Sequence, residues 1–407
     1  MKRITVLFAA LLVTAAVPVG TVTAQQSGSE ASAYTGTHVS FDTESDAVTN
    51  YTVDGVTVLE SVETTAKADA SVGLDVALSA VTDFDASGLS LSAESDVNAT
   101  VEAESGATIR AHDNPKGTLV VAAGNESQYV TANLGANATA EQAGDARVVV
   151  ERDGRSGAFL VVGEGTVTVN DEGNVTADLS EDARLVFRSY EGERSENDDH
   201  TEQLIANGSA AAEVYVTQDG DQTTVDTVNY DGTTTLEVTE QTTDNITVTV
   251  DRSVHDGTVV VTSVSEDALA ATDNLSVTVD GEAAVEADSY TELAAAANDG
   301  ETSKYLVQET NAEGDVTVLV AVNHFSERQI TMSSAESSTT NETTTESDTS
   351  TTTESNDATT TESGKTTEHG SSDSSETTTS STSAPGFGVS VALAALAGAA
   401  LVARRRV

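Results

Sequence analysis

No cysteine occurs in the 407 residues, which excludes disulfide scaffolds, thiol catalysis, Cys-ligated zinc and iron–sulfur clusters. Tryptophan is absent too, and aromatic residues make up only 4%, so the chain is poorly supplied for a sugar-stacking catalytic cleft. Basic residues are scarce: 18 Lys+Arg stand against 67 Asp+Glu, for a net charge of −49. A nucleic-acid partner needs a basic patch to displace counterions, so none is expected. With three prolines in the whole chain, strand-length segments run without interruption. The HExxH, CxxC, GxGxxG, Walker A and GxSxG patterns are all missing, and the expectation is that the chain is not an enzyme.

What is present begins with two terminal addresses. Met1-Lys2-Arg3, an apolar run to Val19 and Val22-Thr23-Ala24 make a basic region, a hydrophobic region and a small-residue cleavage site, which reads as a signal peptide over residues 1–24. A signal anchor that stays attached is the alternative. At the other end, Pro385-Gly386-Phe387 opens an apolar, Ala- and Gly-rich stretch that closes on Arg404-Arg405-Arg406. The stretch 387–403 is expected to be a hydrophobic helix. At about 1.5 Å per residue it spans roughly 25 Å, the short end of a membrane crossing. The arginines would hold their end in the cytoplasm.

Taken together, residues 385–407 resemble the PGF-CTERM sorting signal of archaeal surface proteins. The tripeptide, the apolar helix, the terminal Arg cluster and a preceding Thr-rich tract occur in the order that signal requires. The resemblance implies an archaeosortase as processing partner, removal of the helix near Pro385, Gly386 and Phe387, and attachment of the new end to a membrane lipid. A retained transmembrane helix is the alternative, and either places the body outside the cell.

Residues 333–384 hold 18 Thr, 15 Ser and ten acidic residues, without a single Val, Ile, Leu or aromatic side chain. Such a tract cannot bury enough surface to offset chain entropy and reads as a disordered Ser/Thr/Glu-rich stalk, suited to O-glycosylation. Extended, it would reach about 160 Å, and as a coil roughly 40 Å. N-glycosylation sequons occur at Asn50, Asn98, Asn125, Asn137, Asn174, Asn207, Asn245, Asn274 and Asn341. Without the two terminal signals, 13 basic residues face 67 acidic ones, a net −54. Self-repulsion on that scale opposes a compact state unless salt screens it, and at about 1 M the Debye length is roughly 3 Å. The composition therefore reads as adaptation to concentrated salt, or else as carboxylates awaiting calcium or magnesium ions.

Between the signal and the stalk, apolar residues recur at period two. Examples are Val72/Leu74/Val76/Leu78, Leu89/Leu91, Val97/Ala99/Val101, Val167/Val169, Ile246/Val248/Val250 and Leu275/Val277, with Val148–Val150, Phe159–Val162, Val259–Val261 and Val316–Val322 beside them. Asp-Gly pairs at Asp54, Asp153, Asp219, Asp231, Asp256, Asp280 and Asp299 mark candidate hairpin turns. The pattern predicts a mainly β fold of one or two β-sandwich modules, residues 25–215 and 216–332, with a β-helix as alternative. One short helix is expected near 289–299, from the capping box Ser289-Tyr290-Thr291-Glu292 and the closing Gly300.

Chemistry is thinly signposted. Asp198-Asp199-His200 has metal-binding residue types but lies among Glu191, Glu193 and Glu196, as a solvated loop would. Asp83-Phe84-Asp85 and Asp219-Gly220-Asp221 echo calcium loops without the full EF-hand pattern. The strand leading into His324-Phe325-Ser326 resembles the self-cleavage site of GAIN-like and nucleoporin-like domains, where Ser attacks the preceding carbonyl and His assists. The expected role is a lipid-anchored cell-surface glycoprotein of a salt-loving archaeon, structural, adhesive or associated with an S-layer or other surface proteins. An anchored extracellular hydrolase or an autoproteolytic domain is the alternative.

Overall fold

Phe159–Val162, Val259–Val261 and Val318–Val322 are apolar at every position, not at alternate ones. A strand that reads this way is covered on both faces, and the layering of the fold supplies the reason. The computed structural model describes residues 31–70, 77–220, 222–265, 267–269, 275–308, 315–324 and 327–334, all within one compact unit, Met1–Asn341. The signal peptide, most of the stalk and the residues around Pro385, Gly386 and Phe387 lie outside the described residues.

Four sheets form. The first has the strand order Ser32–Thr35, Val39–Thr43, Ala47–Val53, Val56–Ala66, Gln128–Asn133, Val175–Leu179, Gly165–Val169. The second runs Thr139–Gln142, Arg147–Arg152, Arg155–Val162, Arg184–Glu191, Leu119–Ala122, Thr108–His112, Asn98–Ala103, Leu89–Glu94. They enclose a core that includes Phe41, Tyr51, Leu59, Phe159 and Phe187. The third sheet, Gln222–Asn229, Ala210–Asp219, Asp256–Ser265, Asp315–His324, Lys304–Gln308, Val285–Glu286, shares a second core with the fourth, Thr234–Thr242, Asn245–Arg252, Glu327–Ser334, Leu275–Val279, Glu282–Ala283. That core is built from Val248, Val260, Val320, Ile330 and Met332.

These are β-sandwiches, and the pairing disposes of the β-helix alternative. Among the described residues every ladder is antiparallel except Ala210–Val216 with Val259–Val264 and Val285–Glu286 with Lys304–Tyr305, whereas a β-helix stacks parallel strands.

A third core lies between the sandwiches. Ala158, Leu160, Val162, Val186 and Val120 leave the outward face of the second sheet and meet Tyr215, Val259, Val261, Leu319 and Ala321 of the third. Their neighbours in sequence, Phe159, Val161 and Leu185, point the other way into the first sandwich, and Val260, Val318 and Val320 into the second. All eight residues of Arg155–Val162 are buried for this reason. Each fully buried Leu, Ile or Val contributes about 1.5–3 kcal/mol, so this layer couples the two sandwiches strongly.

Two helices line the same junction. The helix α2, Tyr290–Asp299, is the expected one: Ser289 accepts from the Glu292 N–H at 3.2 Å and Gly300 follows its last turn. Glu292 closes the box one residue early, on the Asp288 N–H at 3.0 Å. The helix α1, Glu196–Ala206, stands where a solvated loop was expected. Its signal is Ser195-Glu196-Asn197-Asp198, a capping box with Asp in place of Glu: the Ser195 hydroxyl accepts from the Asp198 N–H at 3.1 Å, and Asp198 accepts from the Ser195 N–H at 2.9 Å. Behind the polar first turn, Leu204 and Ile205 enter the third core.

The 215/216 boundary falls inside the strand Ala210–Asp219, and the strand Glu327–Ser334 takes the first two residues of the expected stalk. The sheets change at α1 instead. Of the Asp-Gly pairs, Asp54-Gly55, Asp153-Gly154 and Asp280-Gly281 form two-residue hairpins with both residues at positive φ, between 49° and 84°, the I′ geometry that suits twisted strands. Asp219 instead ends its strand, paired with Gln222, so this Asp-Gly pair enters the hairpin without forming its loop, and Asp221 lies outside the described residues. Asp231-Gly232 instead carries the chain between sheets, Asp256 begins a strand and Gly300 caps α2. Residues 71–76 lie outside the described residues, and Leu78 sits in the 3-10 turn Leu78–Ala80, not in a strand.

Candidate functional site

The densest buried polar chemistry lies in the junction layer. Arg188 projects from the second sheet on the same face as Val186 and donates through Nη2 to Glu213 Oε1 of the third sheet at 3.0 Å. The two side chains are 3% and 1% exposed. Tyr230 donates its hydroxyl to the other Glu213 oxygen, and Tyr190 and Tyr215 complete the surround. Burial disfavours the guanidinium charge, but Glu213 and the tyrosines outweigh it and hold the Arg188 pKa well above the ordinary value. Burial and then Glu213 push the Tyr215 and Tyr230 hydroxyls upward. Burial and the neighbouring carboxylate thus favour protonated phenols around the Arg188–Glu213 pair. Nε and Nη1 of Arg188 find no hydrogen-bond partner among the described residues.

A second bridge joins the sandwiches alongside it. Asp226, in the strand Gln222–Asn229, faces His112 Nδ1 at 2.9 Å and accepts from Asn114 Nδ2 at 2.8 Å, all three buried. Asp113, between those two residues, accepts from the N–H groups of Thr37, His38 and Val39 at 2.6–2.7 Å and so fixes the loop that starts the second strand of the chain. At the helix, buried Glu202 receives Arg194 Nε and Nη2 at 2.7 Å each and Arg147 Nη1 at 3.3 Å. Lys116 lies 4.6 Å from the centre of the Tyr190 ring and 3.7 Å from Asp198. Chemically this arrangement joins layers: its charges face one another, and Arg188, Glu213, His112 and Asp226 are shielded from solutes.

The residues singled out from sequence fall elsewhere. Asp198, Asp199 and His200 do not converge as metal ligands. Asp198 caps α1, Asp199 pairs with Arg147 at 2.8 Å and Arg194 at 2.9 Å, and His200 stacks on Tyr290 at 4.3 Å. Helical geometry accounts for this, since consecutive residues on a helix point in different directions. Burial opposes ionisation of Asp198, but Lys116 and the Ser195 hydrogen bonds hold its pKa below the usual carboxylate range. Among the described residues no three His, Asp or Glu side chains gather as a metal site. Asp219 and Gly220 belong to a hairpin, and Phe84 is buried between Asp83 and Asp85.

His324 ends the strand Asp315–His324 on the surface, its carbonyl accepting from Arg328 Nε at 2.8 Å. Phe325 and Ser326 lie outside the described residues. Of the sequon asparagines, Asn50, Asn125, Asn137 and Asn207 are exposed and Asn98, Asn174 and Asn245 half-buried, while Asn274 and Asn341 lie outside the described residues. Sequence reasoning missed Arg188, Glu213, His112 and Asp226 altogether. The one signal was a charged residue inside a strand that is otherwise buried on both faces, as in Leu185-Val186-Phe187-Arg188.

Two shallow grooves open on the first sandwich. One, about 620 Å³, is lined by residues 140–142, 166–169, Leu78, Ser79 and Asp145. The other, about 340 Å³, runs beside Asn137 and Thr139, over the hairpin 151–156, to Gly192 and Glu193. Among the described residues no helix is long and apolar enough to cross a membrane.

At the far end of the chain, residues 384–406 match the PGF-CTERM motif. The chain carries a PGF-CTERM sorting signal. It is the substrate of an archaeosortase and is exported and anchored to the outer face of the archaeal cell membrane, with a lipid as its anchor. No curated protein matches the chain. Among solved structures, a family 81 glycoside hydrolase from Clostridium thermocellum is similar at 10% identity with a TM-score of 0.33, over 72% of this chain. The chain spans 34% of that enzyme's length, and the likeness is too slight to bear on the role of this PGF-CTERM protein.

Proposed function

We propose that this PGF-CTERM protein is a structural or adhesive component of the cell envelope, associated with an S-layer or other surface proteins, and that it displays a rigid body on a glycosylated acidic stalk in concentrated salt. One observation carries the reading. The outward face of the second sheet is a core face, so the two sandwiches make one body and not two beads on a string. A body of that kind suits load-bearing or spacing at a surface, where flexible joints would dissipate position. The −54 charge outside the terminal signals and the nine sequons fit a hydrated, salt-screened glycoprotein. In this reading the protein is not an enzyme.

Cross-linking mass spectrometry on intact cells tests it. Cross-links from residues 32–334 to other envelope proteins are expected, with no turnover of envelope polysaccharides by the purified ectodomain in molar salt. An ectodomain that cleaves such a polymer and forms no envelope cross-links would overturn the reading.

A further inference from the structure

We propose that the groove beside Asn137 is a saccharide seat, occupied by the first sugars of a glycan attached to Asn137 itself. The inference rests on the glycoprotein reading and deepens it by naming one modified residue and the surface its glycan covers. Asn137 and Thr139, the acceptor and hydroxyl residues of one sequon, line the groove, and none of the other described sequon asparagines lines either groove. Asn137 is exposed, in the left-handed region at φ 69°, on the turn that precedes the strand Thr139–Gln142. Several rivals have their amides engaged. Asn50 donates to Asp42 at 3.2 Å, Asn174 accepts from the Leu134 N–H at 3.1 Å, and Asn207 accepts from the Ser209 N–H at 2.9 Å.

The groove's chemistry suits hydroxyl-rich, uncharged sugars. Glu151, Asp153 and Glu193 are exposed at its edge, where their carboxylates can accept from sugar hydroxyls but would repel an acidic saccharide. Arg152 also lines it, its guanidinium held by the Leu134 carbonyl at 2.5 Å, Asp153 at 3.4 Å and Glu60 at 3.5 Å, which ties the groove to the sequon turn. No aromatic ring lines it, so it offers little to a free sugar. A tethered sugar needs little, because a short linker raises its local concentration to about millimolar.

The covalent step is a transfer from a phosphorylated lipid carrier. The Asn137 amide nitrogen bonds the anomeric carbon, the carbon–oxygen bond to phosphate breaks, the phosphate leaves with the electron pair, and the amide proton passes to a base of the transferring enzyme.

Glycopeptide mapping of the native surface protein, combined with amide hydrogen exchange, tests the proposal. The expected result is a glycan on Asn137, and exchange at residues 152–154 and 192–194 slower by about threefold or more than in Asn137→Gln and Thr139→Ala proteins from the same cells. Thr139→Ala keeps the asparagine side chain and separates loss of the glycan from loss of the turn. A glycan on Asn137 with unchanged exchange overturns the seat and leaves the glycoprotein reading intact. Glycans only at other sequons overturn the site. An intact mass equal to the bare processed chain brings down both.

Discussion

Replacing Arg188 with Met removes the cation from a pair that is 3% and 1% exposed and leaves Glu213 buried with phenol hydroxyls such as that of Tyr230 as its neighbours. An uncompensated buried charge of this kind costs about 3–5 kcal/mol, two to three and a half powers of ten in the folding equilibrium. Pairing the change with Glu213→Leu removes the stranded charge, and the double variant should recover to within about 1–2 kcal/mol of the parent. Recovery is expected because the native pair is itself incompletely satisfied: two guanidinium nitrogens lack partners among the described residues, and apolar replacements of buried ion pairs are often neutral.

Arg328→Met is the control. It breaks a pair with Asp280 at 2.5 Å whose members are 30% and 37% exposed, which is worth about 0–1 kcal/mol and is screened in molar salt. Urea titration followed by circular dichroism, at 1 M and 3 M KCl, reads all four proteins. A single transition is expected, since the third core binds the sandwiches to each other. A loss below about 1 kcal/mol for Arg188→Met, or one that fades with salt as the Arg328 effect does, would refute the argument that this pair is sealed from solvent.

Three further outcomes are expected. The Asp198 pKa is depressed in the folded state, so its contribution is present above about pH 4, the unfolded value, and disappears as pH falls through the folded value. The stability gap between the parent and Asp198→Asn should therefore close on acidification from about pH 4 toward pH 2, and a gap constant over that range contradicts the assignment. The mature protein should end near Pro385 to Phe387; recovery of a peptide containing Leu401 and Val402 from the surface pool would show a retained helix. Finally, diluting salt from molar to about 0.1 M, where the Debye length is roughly 10 Å, should unfold the sandwiches through self-repulsion, and an unchanged circular dichroism spectrum would count against that.

Much of this protein is legible from local pattern. The alternation at Ile246/Val248/Val250, the I′ turns at Asp54, Asp153 and Asp280, and the Ser289 cap each depend on residues within a few positions of one another, and each appears in the fold. The sorting signal is legible for a similar reason: an enzyme reads it as a linear segment. The helix α1 was legible in principle, since Ser195 and Asp198 have capping-box spacing, but its acidic first turn resembled a solvated loop.

Tertiary structure alone decided the rest. That the runs Phe159–Val162 and Val318–Val322 are covered on both sides depends on which sheets stack. Alternation reports that a face is buried without naming the surface that buries it. Arg188 and Glu213 lie 25 residues apart in sequence, and His112 and Asp226 lie 114 apart. In a chain with 67 acidic residues, no spacing rule marks which carboxylate will be sealed between two sheets. The groove at Asn137 has the same origin, because the hairpin 151–156 and residues 192–193 reach the sequon only when the second sheet closes.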